Sequence, residues 1–263
     1  MIRKPCLLTD RAVIAVTGAD AKSFLQGLVT NDLTMLTPEQ PLYAAHLSPQ
    51  GKILFEFLMY ADGDTVLIDC LKAARAPLLR RLSMYKLRAK LEIAARDDLI
   101  VVADEGPKDP RLTQLGQRSI LPAATETNDG TDAYHDWRWG LGVPEGGDFG
   151  SDFSAGRIFA LDGDLDELHA ISFTKGCYVG QELTARMKHR GTDRKRLLPV
   201  TSPLADLTTG AAVMAGDIEL GTMMSAYGDA GFALIRLDRL AGAASLTVSG
   251  VEVSITKPDW LFT

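Results

Sequence analysis

Two apolar runs, residues 42–47 and 52–60, are separated only by the turn Ser48-Pro49-Gln50-Gly51. A connection that short cannot carry a parallel crossover, so the runs must pair as an antiparallel hairpin. Asp62-Gly63-Asp64 then turns the chain into residues 65–70 and extends the hairpin to a meander. Ahead of it, residues 11–16 read as a strand, and Gly18-Ala19-Asp20 supplies a turn and a helix cap before Phe24, Leu25 and Leu28. Behind it, Leu71, Ala74, Leu78, Leu82 and Tyr85 recur at helical spacing, with Pro77 in the first turn or at a bend. Strands at 91–95 and 99–103 follow.

Residues 104–132 hold three prolines, three glycines and little periodicity, which predicts a loop or a subdomain boundary. Asp132 caps an expected helix through Trp137 and Leu141, ended by Gly142 and Pro144, and Asp164 caps a short one through Leu168. Short β-rich runs at 197–200, 218–224, 232–237 and 246–255, punctuated by glycines, predict a small C-terminal barrel or sandwich. The expectation is an α+β protein divided into residues 1–103, 104–192 and 193–263.

The 263 residues carry 28 Lys+Arg against 34 Asp+Glu, a net charge of −6, which excludes a generally basic nucleic-acid coat. No run reaches the roughly 20 apolar residues of a membrane helix, so no membrane partner is expected. The start, Met1-Ile2-Arg3-Lys4, is followed by Thr9-Asp10-Arg11 instead of an apolar stretch, and export is not expected. Cys6, Cys70 and Cys177 form an odd, widely spaced set; they imply no disulfide framework, fit a reducing cytoplasm, and are too few for a permanent four-thiolate cluster. Charge is segregated: residues 72–90 hold seven basic residues and no acid, and residues 175–196 hold seven more against Glu182 and Asp193. Such clusters suit an anion if they converge in space, whether a folate, a polyglutamate tail or a short RNA.

The most informative stretch is Thr174-Lys175-Gly176-Cys177-Tyr178-Val179-Gly180-Gln181-Glu182. Two glycines bracket a cysteine, and residues 180–189 read as a helix with Leu183 and Met187 inward. A thiol just ahead of a helix N-terminus and beside Lys175 is favoured as thiolate, which makes Cys177 a soft ligand or nucleophile; the alternative is a small Cys admitted by a Gly-rich turn. The isolated His46, His135, His169 and His189 support no metal site. Tyr134, Trp137 and Trp139 are candidates to stack on a flat ring, with core packing as the alternative. Asp162, Asp164, Asp166 and Glu167 read as a solvated helix start that can also pair with the neighbouring basic helix.

Residues 171–191 closely resemble the signature of the YgfZ family of folate-binding proteins implicated in iron–sulfur cluster assembly. Phe24-Leu25-Gln26-Gly27, Thr30-Asn31-Asp32, Ser48-Pro49-Gln50-Gly51-Lys52, Met84-Tyr85-Lys86-Leu87-Arg88-Ala89-Lys90 and Gly142-Val143-Pro144 look like further landmarks in family order. The resemblance implies a fold similar to the T-protein of the glycine cleavage system: α/β subdomains around a central opening for tetrahydrofolate, and a C-terminal β-barrel. It also implies a role in maturing or repairing 4Fe-4S proteins, among them tRNA-modifying enzymes, beside A-type cluster carriers, with a bacterial cytoplasmic version expected here. Carried over by motif, Cys177 and Lys175 are the reactive candidates and Gly176 and Gly180 the structural ones. Glu56, Tyr178, Gln181, Glu182, Arg186 and Arg88 are the candidate folate contacts. In this scheme the two basic clusters hold the folate, Cys177 faces it, Lys175 keeps the thiol ionised, and Gln181 and Glu182 fix the loop.

Two departures stand out. Phe55-Glu56 occupies the place of the T-protein's aspartate pair, and Gly140 in Arg138-Trp139-Gly140-Leu141-Gly142 replaces its pterin-reading carboxylate, so aminomethyl transfer is disfavoured. The remaining alternatives are a tetrahydrofolate-dependent one-carbon transferase with Glu56 as the acid–base group, and an RNA-binding module.

Overall fold

The computed structural model describes residues 4–150, 153, 156–191, 195–240, 242 and 245–261. In chain order its elements are β1 (Cys6–Leu7), β2 (Arg11–Thr17), α1 (Ala21–Gln26), β3 (Leu42–Leu47), β4 (Ile53–Asp62), β5 (Thr65–Leu71), α2 (Lys72–Lys86), β6 (Glu92–Ala95), β7 (Leu99–Lys108), β8 (Gln117–Pro122), β9 (Asn128–Asp129), α3 (Thr131–Gly140) and α4 (Gln181–Arg190). β10 (Lys195–Thr201), β11 (Ala212–Ala215), β12 (Ile218–Tyr227), β13 (Ala230–Arg236), α5 (Leu237–Leu240), β14 (Thr247–Val248), β15 (Val251–Glu252) and β16 (Ser254–Ile255) complete it.

Among the described residues three sheets form. The expected meander β3-β4-β5 is present and is extended by β2 and β6 into a five-stranded sheet, with Arg11 opposite Leu71 and Thr17 opposite Thr65. Its central strands are buried on both faces, and the two-residue side-chain period sorts them. Ile14, Val16, Phe57, Met59, Ile68 and Cys70 point to a core shared with Leu25, Ala74, Leu78 and Leu82 of α1 and α2. Val13, Ala15, Leu58, Tyr60 and Leu67 point to a second core, shared with the four-stranded sheet β8-β7-β1-β9 and with Phe149, Ile158 and Leu165. By the same period Arg11, Glu56 and Asp69 project into that second core. This parity positions the buried charges described below.

The third sheet runs β15-β14-β11-β12-β13-β10-β16. Its two edge strands, β15 and β16, are separated in the chain by Val253 alone, so the sheet must curl until its edges meet, a nearly closed barrel around Leu198, Val213, Met223, Ala233 and Ile235.

Several sequence expectations are corrected. The strand expected at 99–103 continues to Lys108 and pairs with β8, so residues 104–132 are not a structureless loop. Asp20 precedes α1 without capping it; its Oδ2 accepts instead from the Lys90 amide at 2.7 Å. Asp164 starts no helix: residues 161–169 are turns, and Asp164 is fully buried. In α4 the buried residue is Thr184, while Leu183 and Met187 are only partly covered. Asp193 and Arg194 lie outside the described residues. No helix among the described residues is long and apolar enough to cross a membrane.

Candidate functional site

The Cys177 segment is built on glycine contacts. Gly180 precedes α4 with φ +86°, and a Cβ there would stand 2.6 Å from the Ser48 carbonyl oxygen and 2.9 Å from Leu47 Cβ. Gly51, with φ +74°, lies on the opposite side of this contact, 3.3 Å from the Gly180 oxygen if given a Cβ. Only residues without side chains allow the meander turn and the start of α4 to approach so closely. Gly176, by contrast, meets nothing within 4 Å, so space does not demand a glycine there.

Of the three cysteines Cys177 is exposed, Cys70 buried and Cys6 intermediate; burial pushes the Cys70 thiol up to about 12. Lys175 does not serve Cys177. Its side chain turns inward, and Nζ donates to the carbonyls of Gln26 (2.8 Å), Val29 (2.7 Å) and Asn31 (2.6 Å). The expected activation of the thiol by this lysine is therefore corrected: the ammonium has three donors, and all three are occupied elsewhere. Tyr178 is buried with its ring 5.3 Å from Lys175 Nζ, and burial pushes its phenol up to about 12.

Of the six expected folate contacts only Glu56 lines any of the five cavities described. Arg88, beyond α2, and Glu182 and Arg186 on α4 are exposed, Gln181 is half-buried, and Tyr178 packs under the motif. Glu56 is buried, with Oε1 accepting from the Gly146 amide at 3.0 Å and lying 3.7 Å from Arg11 Nη1. Burial raises its pKa against the pull of Arg11. The space it lines measures about 10 Å³, room for a single water at most, which leaves no place for a transferred group.

Glu56 belongs to a buried charge network that the sequence reading missed. Arg11 Nε and Arg118 Nε each donate to one oxygen of Asp69 at 2.7 Å. Arg118 Nη1 and the Tyr134 hydroxyl both donate to Glu145 Oε2 at 2.9 Å, and Arg111 Nη1 bonds the same oxygen. Arg111 also forks onto Asp109 at 2.9 and 2.7 Å. Burial works to raise Glu145, but Arg118, Arg11 and Arg111 outweigh it and hold the carboxyl well below the usual range. A signal was available: Glu56 and Asp69 each stand inside an otherwise apolar strand, where a charge must be paired.

Beside this network opens a cavity of about 410 Å³, lined by residues that include Asp10, Asp132, His135, Asp136, Arg138, Trp139 and Tyr227. Arg138 Nε donates to His135 Nδ1 at 2.9 Å, so the proton sits on Nε2, which donates to Asp10 Oδ2 at 2.9 Å. The Trp139 ring packs against those of His135 (5.7 Å, stacked) and Tyr227 (4.6 Å, tilted), while Trp137 is 54% exposed and lies outside the cavity. Tyr134 is buried in the charge network, so Trp139 alone of the three stacking candidates lines this space. The walls are acidic, which corrects the expected cationic cavity. Cys177 lines none of the five cavities described.

The two basic clusters do not meet here. Lys72 and Arg75 border a separate cavity of about 250 Å³. Lys188 pairs with Asp166 at 2.8 Å and Arg196 with Glu167 at 3.0 Å and Asp164 at 3.4 Å, so the acids at 164–167 engage two of the seven basic residues of the second cluster. Tetrahydrofolate can be tested against the larger cavity. Among the described residues Asp10 Oδ1 and Trp139 Nε1 lack a partner, but both atoms are buried from solvent, and the Trp139 ring is already packed on His135 and Tyr227, so the cavity as it stands presents no free aromatic face or exposed donor to a pterin head. Asp132 and Asp136 on the cavity wall would repel a glutamyl tail, and Arg138 is committed to Asp148 at 2.7 Å. Among the described residues no group of His, Cys, Asp and Glu is arranged to hold a metal ion.

Comparison with known proteins places these features. Residues 194–263 match the family described as the CAF17 C-terminal beta-barrel domain. Over 96% of its length the chain is 32% identical to the mitochondrial iron-sulfur cluster assembly factor IBA57 of Mus musculus, covering 84% of that protein. The Homo sapiens factor is 31% identical over the same shares. In fold the chain resembles glycine cleavage system aminomethyltransferase T from Bartonella henselae, with a TM-score of 0.75 at 13% identity, over 98% of this chain and 87% of that one. That likeness bears out the T-protein-like α+β fold, and the barrel match its C-terminal part. The expectation of a cytoplasmic protein is corrected, because the IBA57 relatives are mitochondrial proteins.

Proposed function

The chain belongs to the family of the iron-sulfur cluster assembly factors IBA57, and from that membership we propose that it is an accessory factor in assembling or repairing iron–sulfur proteins, with Cys177 as its working group. What carries the reading is that Cys177 alone of the three cysteines is exposed, on a segment pinned at Lys175 and Gly180. One thiolate supplies one iron ligand, so the cluster is cargo whose other ligands come from a client or a carrier. Such partners are iron–sulfur proteins in general; the likeness of the motif to the YgfZ signature narrows them to 4Fe-4S clients and A-type carriers.

A reduced folate belongs to the same proposal. The likeness of the motif to the YgfZ signature supports it, and a bound folate would supply a reducing, one-carbon-carrying ring. No step of the cluster role depends on it, since Cys177 does not border the larger cavity.

The decisive experiment deletes the protein and assays 4Fe-4S enzymes such as aconitase under oxidative stress, then reintroduces the chain with Cys177→Ala. The expected result is a loss of activity that the wild-type chain restores and the variant does not. Full complementation by the variant removes the thiol from the mechanism, and unchanged activity in the deletion removes the function.

A further inference from the structure

The segment that carries Cys177 has no regular secondary structure between residue 170 and α4, yet it contains a lysine with only 8% of its surface exposed. A lysine is buried at a cost unless its donors are matched. Here all three are, and by an unusual set: among the described residues no carboxylate bonds the ammonium, and its partners are three backbone carbonyls in the short stretch from the last residue of α1 to Asn31.

That stretch is itself fastened. The Thr30 amide donates to the Ala45 carbonyl at 3.0 Å, and Thr30 Oγ1 accepts from the Ala45 amide and donates to the Ala170 carbonyl. Asn31 Nδ2 donates to the carbonyls of Tyr43 and His169, both at 2.8 Å. The receiving carbonyls are thus held by β3 on one side and by residues 169–170 on the other. On the motif side, the Ser172 amide donates to the Thr30 carbonyl at 3.0 Å and the Lys175 amide to Ser172 Oγ at 3.2 Å. Lys175 Nζ closes this stitching at its C-terminal end, just before Cys177.

We infer that Lys175 is a positioning residue for Cys177: its ammonium, seated on the carbonyls of Gln26, Val29 and Asn31, fixes where the motif segment presents the thiol without touching it. No hydrogen bond or ion pair joins Lys175 to Cys177 among the described residues. Burial, opposed in part by the charge of Asp32, lowers the ammonium to about 8, so it is mostly charged at neutral pH, and its hydrogen bonds go to carbonyl dipoles. A guanidinium is planar and cannot reproduce a three-pronged seat, which distinguishes this role from a requirement for positive charge. The inference rests on the reading of Cys177 as the working thiol, but the lock itself is measured on purified protein without any cluster assay, so the two can fail separately.

The experiment follows hydrogen exchange of the peptide spanning residues 170–180 and iodoacetamide alkylation of Cys177, both by mass spectrometry, in the wild-type full chain, Lys175→Ala and Lys175→Arg. Loss of a hydrogen bond to a charged group predicts exchange of the Ser172 and Lys175 amides about ten-fold faster in Lys175→Ala, with a changed Cys177 alkylation rate and with Cys70 still protected. Propylammonium, which replaces the missing part of the side chain, is expected to restore both rates, whereas tetramethylammonium, with no N–H donor, is not; Lys175→Arg remains impaired. Wild-type exchange and alkylation in Lys175→Ala overturn the inference, as does full function of Lys175→Arg in both readouts. Should Lys175→Ala unfold, seen as alkylation of Cys70, the wild-type protein decides. A slowly exchanging ammonium signal of Lys175 in a ¹⁵N spectrum supports the lock, and a rapidly exchanging one refutes it.

Discussion

Gly51 and Gly180 are packed against each other: a Cβ built on Gly180 would come within 3.2 Å of the Gly51 Cα, and one on Gly51 within 3.3 Å of the Gly180 oxygen. The turn of the first hairpin and the entry to the Cys177 helix are therefore one structural joint, made from segments far apart in the chain.

That joint predicts an asymmetry within the motif. Gly180→Ala adds a methyl where backbone already stands at 2.6 Å and where φ is +86°, and is expected to cost about 2–3 kcal/mol in urea unfolding. Gly176→Ala meets no neighbour and should stay within about 0.5 kcal/mol. Equal losses at the two positions would contradict the packing described.

Removing one member of the central charge network is expected to be severe. Arg118→Ala takes the Arg118 donor from the buried Asp69 Oδ2 and one of three donors from Glu145 Oε2, and a loss of about 3–5 kcal/mol is expected in chemical denaturation. Arg96, whose pair with Asp98 lies on the surface, should be replaceable by alanine with no measurable change. The reverse order would show that the buried network does not carry stability.

His46 makes the fold sensitive to mild acid. It is enclosed between Phe55 and Tyr85, with Nδ1 3.0 Å from the Leu28 carbonyl. Burial, opposed by that carbonyl and reinforced by Arg81, lowers its pKa from 6.5 to about 4. Between those values the unfolded chain takes up a proton that the folded one refuses. Stability from this group is therefore full above pH 6.5 and is lost as the pH falls toward 4, by about 3 kcal/mol in total. Urea midpoints measured across this window should fall less steeply in His46→Gln than in the wild type, and parallel slopes would refute the assignment.

The proposed folate can be tested directly. Calorimetry with tetrahydrofolate should detect binding, and if the ligand sits in the acidic cavity Trp139→Ala should weaken it, because the indole forms part of the cavity wall. Gly140→Glu has open space around it and should fold normally, so any gain in affinity reports on the restored carboxylate alone. Absence of binding in the wild type would remove folate from this protein.

The sequence by itself determined the local architecture and the kinship. The four-residue turn before Lys52 forces the hairpin, the apolar spacing of Ala74, Leu78 and Leu82 forces α2, and the Cys177 motif with its landmarks pointed to kinship with iron–sulfur cluster assembly factors and to the T-protein-like fold. These are patterns between near neighbours, set by the periods of strand and helix. What only the tertiary structure decided was which groups meet. Arg11 and Glu145 are 134 residues apart, and Arg118 and Asp69 are 49 apart, so parity could send Glu56 and Asp69 inward without revealing the arginines that receive them. Lys175 is the sharper case: its partners are backbone carbonyls, which every residue possesses and no side chain announces, so a lysine two residues from a cysteine looked like its activator until the fold turned it the other way.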